Sequence, residues 1–364
     1  MNPKIVYSLG ALLVAGGLAS WQLSRDGKKG AARTAADMPK LEGSDDVDTI
    51  KLTAPEKDGK QTEVVLEKKG ETWVMVKPVA YAANQASVKS LVDNFKEVKV
   101  SDVIADAATD DQKKAFDLDD KKAIRVVASK GGATKVDWLF GKGGGRGQMM
   151  MIAGQKGVYA ASNYSSWLYN KEVKAWRDSE IFKLEEDKIV GLTVTNTHGV
   201  FVFAKDTNAK EKAWDGKFKG AKIARFDAKK VEDAVRAFKA LAADDFADGK
   251  SDADTGLDKP EAVVVLSDKD GAKSTLSVGK VAAGTNRYAK KSGSDTVFVI
   301  SSWPADWATS DEAKYQEPLP SKDKKSGKDA PAMGDMPPGM GGMPPGHPGM
   351  GGMGGMPPGH PGGH

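Results

Sequence analysis

In this chain of 364 residues, the side chains best suited to chemistry gather at the C-terminal end. Met336, Met340, Met343, His347, Met350, Met353, Met356, His360 and His364 recur among Pro and Gly, in a unit Met-Pro-Pro-Gly that begins at Met336, Met343 and Met356. Thioethers are soft donors suited to Cu(I), and imidazoles suit Cu(II) and Ni(II), so the pattern supports weak capture of copper or nickel. The same stretch, Pro331 to His364, has no periodic apolar face and is rich in Gly and Pro, which equally describes a disordered spacer without chemistry. Elsewhere the signals are thin. Gly141-Lys-Gly-Gly-Gly-Arg146 resembles a phosphate loop but lacks the Gly-Lys-Ser/Thr ending and sits between strands. The spacing predicts a hairpin turn there, matched by Gly279-Lys280. Met149, Met150 and Met151 continue into the next strand and read as packing residues.

His198 is the one histidine of the body and precedes Gly199, which predicts an exposed turn residue and leaves no His-rich metal site there. Acidic pairs at Asp110-Asp111, Asp119-Asp120 and Asp244-Asp245, and the run Asp252-Ala-Asp254-Thr-Gly256, depart from an EF-hand loop and read as solvated loops. No carboxylate pair is marked out for glycoside hydrolysis. The absence of cysteine excludes a disulfide framework, a thiolate nucleophile and Cys-ligated metal. A net charge of +4, from 54 basic against 50 acidic residues, implies no nucleic-acid partner.

Two kinds of element must position whatever this chain does. Ile5 to Ser24 is free of charge and, as a helix, is about 30 Å long, the thickness of the hydrocarbon layer. It is expected to be an uncleaved single-pass anchor (5–24), with Tyr7 and Trp21 at its edges and Ala11, Ala15 and Ala19 forming a small-residue stripe. A linker (25–46) follows. Its Arg25, Lys28, Lys29 and Arg33 pull toward a cytoplasmic body, whereas a short N-terminal span with a basic start favours export, and export is the orientation adopted.

The body is written twice, over 47–185 and 186–316. Each copy reads as β-β-β-α-β-β-β-β. The helices run Asn84 to Val98 and Asp227 to Ala242, with apolar residues three and four apart and N-caps at Asn84 and Asp227. Ala123-Ile-Arg-Val-Val127 aligns with Ala262-Val-Val-Val-Leu266, and both copies close on Ser-Ser-Trp, at Trp167 and Trp303. Strands joined by hairpins and broken by one helix predict an α+β fold: two tandem copies of a mostly antiparallel sheet unit with one main helix each. The lysine-rich stretch Lys205 to Lys222 makes strand pairing there uncertain. A Lys-rich hinge and the disordered tail (317–364) complete the chain.

Glu67-Lys-Lys-Gly-Glu-Thr-Trp73, Pro78 with the helix after it, and Trp176-Arg177-Asp178-Ser-Glu-Ile181-Phe, followed by Leu184 and Asp187-Lys-Ile189, carry a resemblance over about residues 46 to 310. The chain resembles domain-of-unknown-function family 4340, membrane-anchored envelope proteins with a duplicated domain. The resemblance implies a periplasmic body held at the inner membrane by one helix, in a family found beside ABC-type transporters related to gliding systems. It implies no activity and no site residues. The function expected is a non-enzymatic, membrane-tethered module that binds a protein partner in an ABC-type, gliding-like transport system. The alternatives are a metal-handling envelope protein working through the tail, and an envelope hydrolase with an unrecognised carboxylate site.

Overall fold

The computed structural model describes residues 38–55, 60–206 and 213–319. Residues through Glu317 cluster as one unit and those from Pro318 onward as another, and nearly all of the second lies outside the described residues. So do the expected anchor at 5–24 and the Met/His tail. Among the described residues no helix is long and apolar enough to cross a membrane.

Alternation of apolar and polar residues builds the strands, because successive side chains point to opposite sheet faces. The first repeat contains β1 (Thr49–Pro55), β2 (Gln61–Lys69), β3 (Thr72–Lys77), β4 (Tyr81–Ala82), α1 (Gln85–Phe95), β5 (Lys99–Ala105), α2 (Asp110–Ala115), β6 (Ile124–Lys130), β7 (Ala133–Gly144), β8 (Gly147–Ile152), β9 (Val158–Ser162) and α3 (Ser166–Tyr169). A 3-10 turn, Val173–Trp176, closes it. The second repeat runs β10 (Ile189–Asn196), β11 (Gly199–Lys205), β12 (Trp214–Phe218), β13 (Ala221–Lys222), α4 (Ala228–Lys239), β14 (Asp245–Phe246), α5 (Asp252–Thr255), β15 (Ala262–Asp268), β16 (Lys273–Ala283), β17 (Asn286–Lys291), β18 (Phe298–Ile300), α6 (Ser302–Thr309) and the 3-10 turn Glu312–Tyr315.

Both sheets have the same antiparallel order, β4-β3-β2-β1-β6-β7-β8-β9-β5 and β13-β12-β11-β10-β15-β16-β17-β18-β14. The α+β duplication therefore stands, with two more strands per copy than the sequence pattern gave. Those are the two-residue β4 and β13, too short to show a period, and β5 and β14, which return from the helix to pair with β9 and β18. The lysine-rich stretch does not disturb pairing: Phe201 faces Phe218 and Lys205 faces Trp214 across β11 and β12.

One face of each sheet holds the core. Ile50, Leu52, Leu66, Val126, Trp138 and Phe140 pack with Val88, Leu91 and Phe95 of α1, as Leu192, Val194, Phe201, Phe203, Val264 and Leu276 pack with Val231, Val235 and Phe238 of α4. Asn84 and Asp227 cap the helices as expected, accepting from the backbone N–H of Ser87 and Lys229.

The ladders correct the alignment of the repeats by one residue. Val126 lies between Leu52 and Trp138 as Val264 lies between Val194 and Leu276, so Arg125 corresponds to Val263, and Ala262 to Ile124 rather than Ala123. One residue decides which face a side chain occupies. Gly141 and Gly279 are likewise not turn residues: both lie inside long strands, beside register shifts, and the hairpin turns come later.

The uncovered faces differ in charge. On the first, Lys51 and Lys77 pair with Glu63, and Arg125 grips Asp137 with two hydrogen bonds of 2.9 and 2.8 Å. Hydrogen bonds from Lys51 and then Lys77 hold the Glu63 carboxyl below its usual range. Stability from such a group is complete above its unfolded pKa and is lost as pH falls through the folded value. Hydrogen-exchange protection of β1 and β2 is therefore expected to drop, as pH falls below the ordinary glutamate range, more than that of β10 and β11. The positions equivalent to Lys51 and Glu63 there are Thr193 and Val200. Equal losses in both sheets would refute this.

Candidate functional site

The segment after each repeat returns the chain to the start of its own helix. Asn84 donates its backbone N–H to Trp176 O at 2.8 Å and Asp178 donates to Ala82 O, while Asp227 donates to Tyr315 O at 2.9 Å and Glu317 to Arg225 O. After the first repeat the chain runs on into the second: Ala243 donates to Ser179 O, Ile181 and Phe182 to Leu241 O, and Leu184 to Lys239 O. The motif Trp176 to Phe182 is thus a strap bonded to both repeats.

Arg177 sits in this strap, where its counterpart in the second repeat is Gln316. It is the one charged residue among the described residues that is buried, at 2% exposure. Its guanidinium lies 4.4 Å from the centre of the Tyr81 ring and 3.6 Å from that of Phe246, and Nη1 bonds Asp248 Oδ2 at 2.6 Å. A cation set against both rings in the corner where they meet edge to face, with a carboxylate at its end, joins Tyr81 of the first repeat to Phe246 and Asp248 of the second. Burial pushes the Tyr81 phenol pKa up. Lys174 adds a second bridge between the repeats, 3.3 Å from Asp245.

Next to the strap stands Trp167, 63% exposed, and the same position of the second repeat carries Trp303, 53% exposed. Each follows a Ser that occupies the N-cap position of a short helix, Ser165 before α3 and Ser301 before α6. Lys171 lies between Trp167 and Trp176, 5.2 and 5.3 Å from the ring centres, and Nζ donates to Ser87 Oγ at 2.9 Å. Burial lowers the Lys171 pKa, but two indole faces favour the ammonium form. Lys171 is therefore a cation that ties α1 to the Trp167 turn, and the Ser87–Lys171 contact is not a nucleophile and its base.

Other expected positions resolve simply. His198 is an exposed turn residue. Met150 enters the main core, whereas Met149 and Met151 pack on the opposite face with Leu118 and Val158. Asp254 Oδ2 accepts from the Ser251 hydroxyl and backbone N–H in a helix cap, Asp244 accepts from Asn286, and Asp252 pairs with Lys290. Among the described residues no group of three or more His, Cys, Asp or Glu could hold a metal. The nine Met and His positions from Met336 to His364 lie outside the described residues.

The model of a domain of unknown function, DUF4340, matches residues 73–260 and again 252–318. The chain belongs to this family. The two matches run from β3 to just past the last 3-10 turn, so the DUF4340 region takes in most of the first repeat, the strap and the whole of the second. Neither curated proteins nor solved structures gave a match. Within this DUF4340 chain, the sequence motif around Arg177 marked the strap, but the stacking of its guanidinium depends on Phe246, far away in sequence. The duplicated Ser-Ser-Trp was visible in the sequence; the exposure of both indoles was not, since a tryptophan at helical spacing is commonly a core residue.

Proposed function

We propose that this DUF4340 chain is a non-enzymatic envelope protein, held at the inner membrane by residues 5–24, whose duplicated periplasmic body docks a protein partner. The observation that carries this reading is the pair of exposed tryptophans, Trp167 and Trp303, kept at one position in both repeats. An exposed indole costs solvation and contributes nothing to the core, while tryptophan is the residue most enriched among those that dominate protein interfaces. An anchor would keep the body at high local concentration beside a membrane complex. The family resemblance supports the finer identification, an accessory module of an ABC-type, gliding-like transport system.

A crosslinking pull-down from detergent-solubilised membranes tests it. The full-length chain and a chain ending at Ser321 should recover the same transporter component, and W167A/W303A should reduce recovery at least about tenfold while costing about 1 kcal/mol of stability or less, the lost contact of Lys171 with the Trp167 ring included. Undiminished recovery by the double variant, or no reproducible transporter component, would defeat the proposal. The Met-Pro-Pro-Gly repeats favour a second reading, metal capture by the tail. In the same preparations Cu(I) binding should disappear on ending the chain at Ser321 and persist in a peptide of residues 331–364; binding unaffected by the truncation would end that reading.

A further inference from the structure

The two exposed tryptophans occupy one position of the duplicated fold and stand in opposite electrical surroundings. Trp167 has a cation at its back. The Lys171 ammonium lies 5.2 Å from the centre of its ring and is held on its other sides by the Trp176 ring, at 5.3 Å, and the Ser87 hydroxyl, at 2.9 Å. Among the described residues no carboxylate pairs with it: Glu172, its neighbour in the chain, turns to Lys174 at 3.5 Å. The other charges of the hollow beside Trp167 largely cancel, because Lys96 pairs with Asp45 at 2.7 Å and Glu97, which accepts from Asn94 Nδ2, stands two residues from Lys99. Lys171 is the charge left over.

Trp303 has no such lysine. Counted from Ser-Ser-Trp, the place of Lys171 is taken by Trp307, which is buried, and Lys314 lies over Trp307 rather than over Trp303. The exposed residues of α6 are Trp303 and Asp306. Three apart on a helix, they are neighbours on one face. Arg287, which faces Ile300 across β17 and β18, is taken by Glu261 at 2.6 Å, and among the described residues Asp306 makes no ion pair.

We infer that the docked partner is read by charge: it brings an acidic side chain to Trp167 and a basic one to Trp303, and so binds in one orientation to a body whose halves are otherwise alike. The inference rests on the docking reading of these tryptophans. An indole face attracts cations, but at Trp167 that attraction is already taken by Lys171, so a second cation meets a like charge and a carboxylate an unlike one. Asp306 does the reverse: a lysine or arginine covering the Trp303 ring gains the ring face and the carboxylate together. The reversed orientation opposes like charges at both ends, which is how charge confers specificity more than affinity.

Collisional quenching reads the contrast without a partner. In the full-length chain in neutral detergent, the quenchable emission lost in W167F belongs to Trp167, and that lost in W303F belongs to Trp303. The ratio of iodide to caesium quenching, each relative to a free tryptophan amide at the same low ionic strength, should be at least about threefold higher at Trp167 than at Trp303. K171M should lower the ratio at Trp167, K171R should keep it, and D306N should raise it at Trp303, with the thermal transition of each variant verifying the fold. In the crosslinking pull-down, K171M and D306N should each reduce recovery of the transporter component about two- to fivefold, and K171R should retain it. Ratios equal at the two tryptophans, or unmoved by K171M and D306N, overturn the inference whatever the pull-down gives. Full recovery by both variants of a component that the wild type recovers overturns it too. A wild type that recovers no component refutes the docking reading and the partner assignment with it, and the quenching ratios separately decide the charge contrast.

Discussion

Alanine at Gly141 or at Gly279 is expected to destabilise the protein by about 3 kcal/mol each, the upper part of the range for forcing an atom into a packed region. A Cβ at Gly141 overlaps the carbonyl oxygen of Phe116, and one at Gly279 overlaps that of Thr255, at the C-terminal ends of α2 and α5. The obstacle is backbone in both cases, so no side-chain rotation relieves it. The close approach serves a purpose in the first repeat, where Lys142 donates its backbone N–H to Phe116 O at 2.9 Å. Leu118 and Leu257 are thereby seated on the outer face, in small apolar clusters with Met149 and with Val297 respectively. Urea unfolding of G141A and G279A checks this, with G145A as the control, since nothing lies near the added atom there. A loss under about 1 kcal/mol in both would mean that the helices shift aside freely.

Removing Arg177 is expected to lower stability by about 3 kcal/mol for R177A, through two lost ring contacts and a charge-assisted hydrogen bond. R177M should lose less, about 1 to 2 kcal/mol, since a flexible apolar chain refills the corner beside Tyr81 and Phe246. D248N should lose about 1 kcal/mol, because the amide oxygen that replaces the carboxylate still accepts from Arg177 Nη1 and only the charge opposite the buried guanidinium is lost. The order R177A, R177M, D248N identifies stacking as the main contribution; D248N as damaging as R177A would assign it to the ion pair. R177A is also expected to separate one unfolding transition into two in calorimetry, as each repeat has its own core while the strap joins them.

Local chemistry was legible in the sequence and long-range chemistry was not. The helices α1 and α4 announce themselves by apolar spacing and by Asn84 and Asp227, and the duplication follows from their common surroundings. By contrast, β5 and β14 pair with strands more than fifty residues downstream, which no local period reveals. Gly141-Lys142 and Gly279-Lys280 were recognisable as equivalent, but two glycines in a turn and two glycines under a helix end look alike until the fold places Phe116 and Thr255. The same holds for charge. Matching Ala123 with Ala262 sets Arg125 beside the core residue Val264, and the loss of charge on the second sheet emerges only when the ladders set Arg125 beside Val263. Arg177 was legible as a motif and illegible as a site, since its two rings come from different repeats.

The position of β1 has a mechanical consequence. The chain enters the body through a strand in the middle of its sheet, paired along Thr49–Pro55 with β2 and along Thr49–Thr53 with β6. Tension arriving from the N-terminal side cannot peel this strand away one bond at a time, as it could an edge strand such as β4; both ladders must yield together. A load passed along the chain therefore meets first the ion pair of Asp45 with Lys96 and buried Val47, and then two ladders at once.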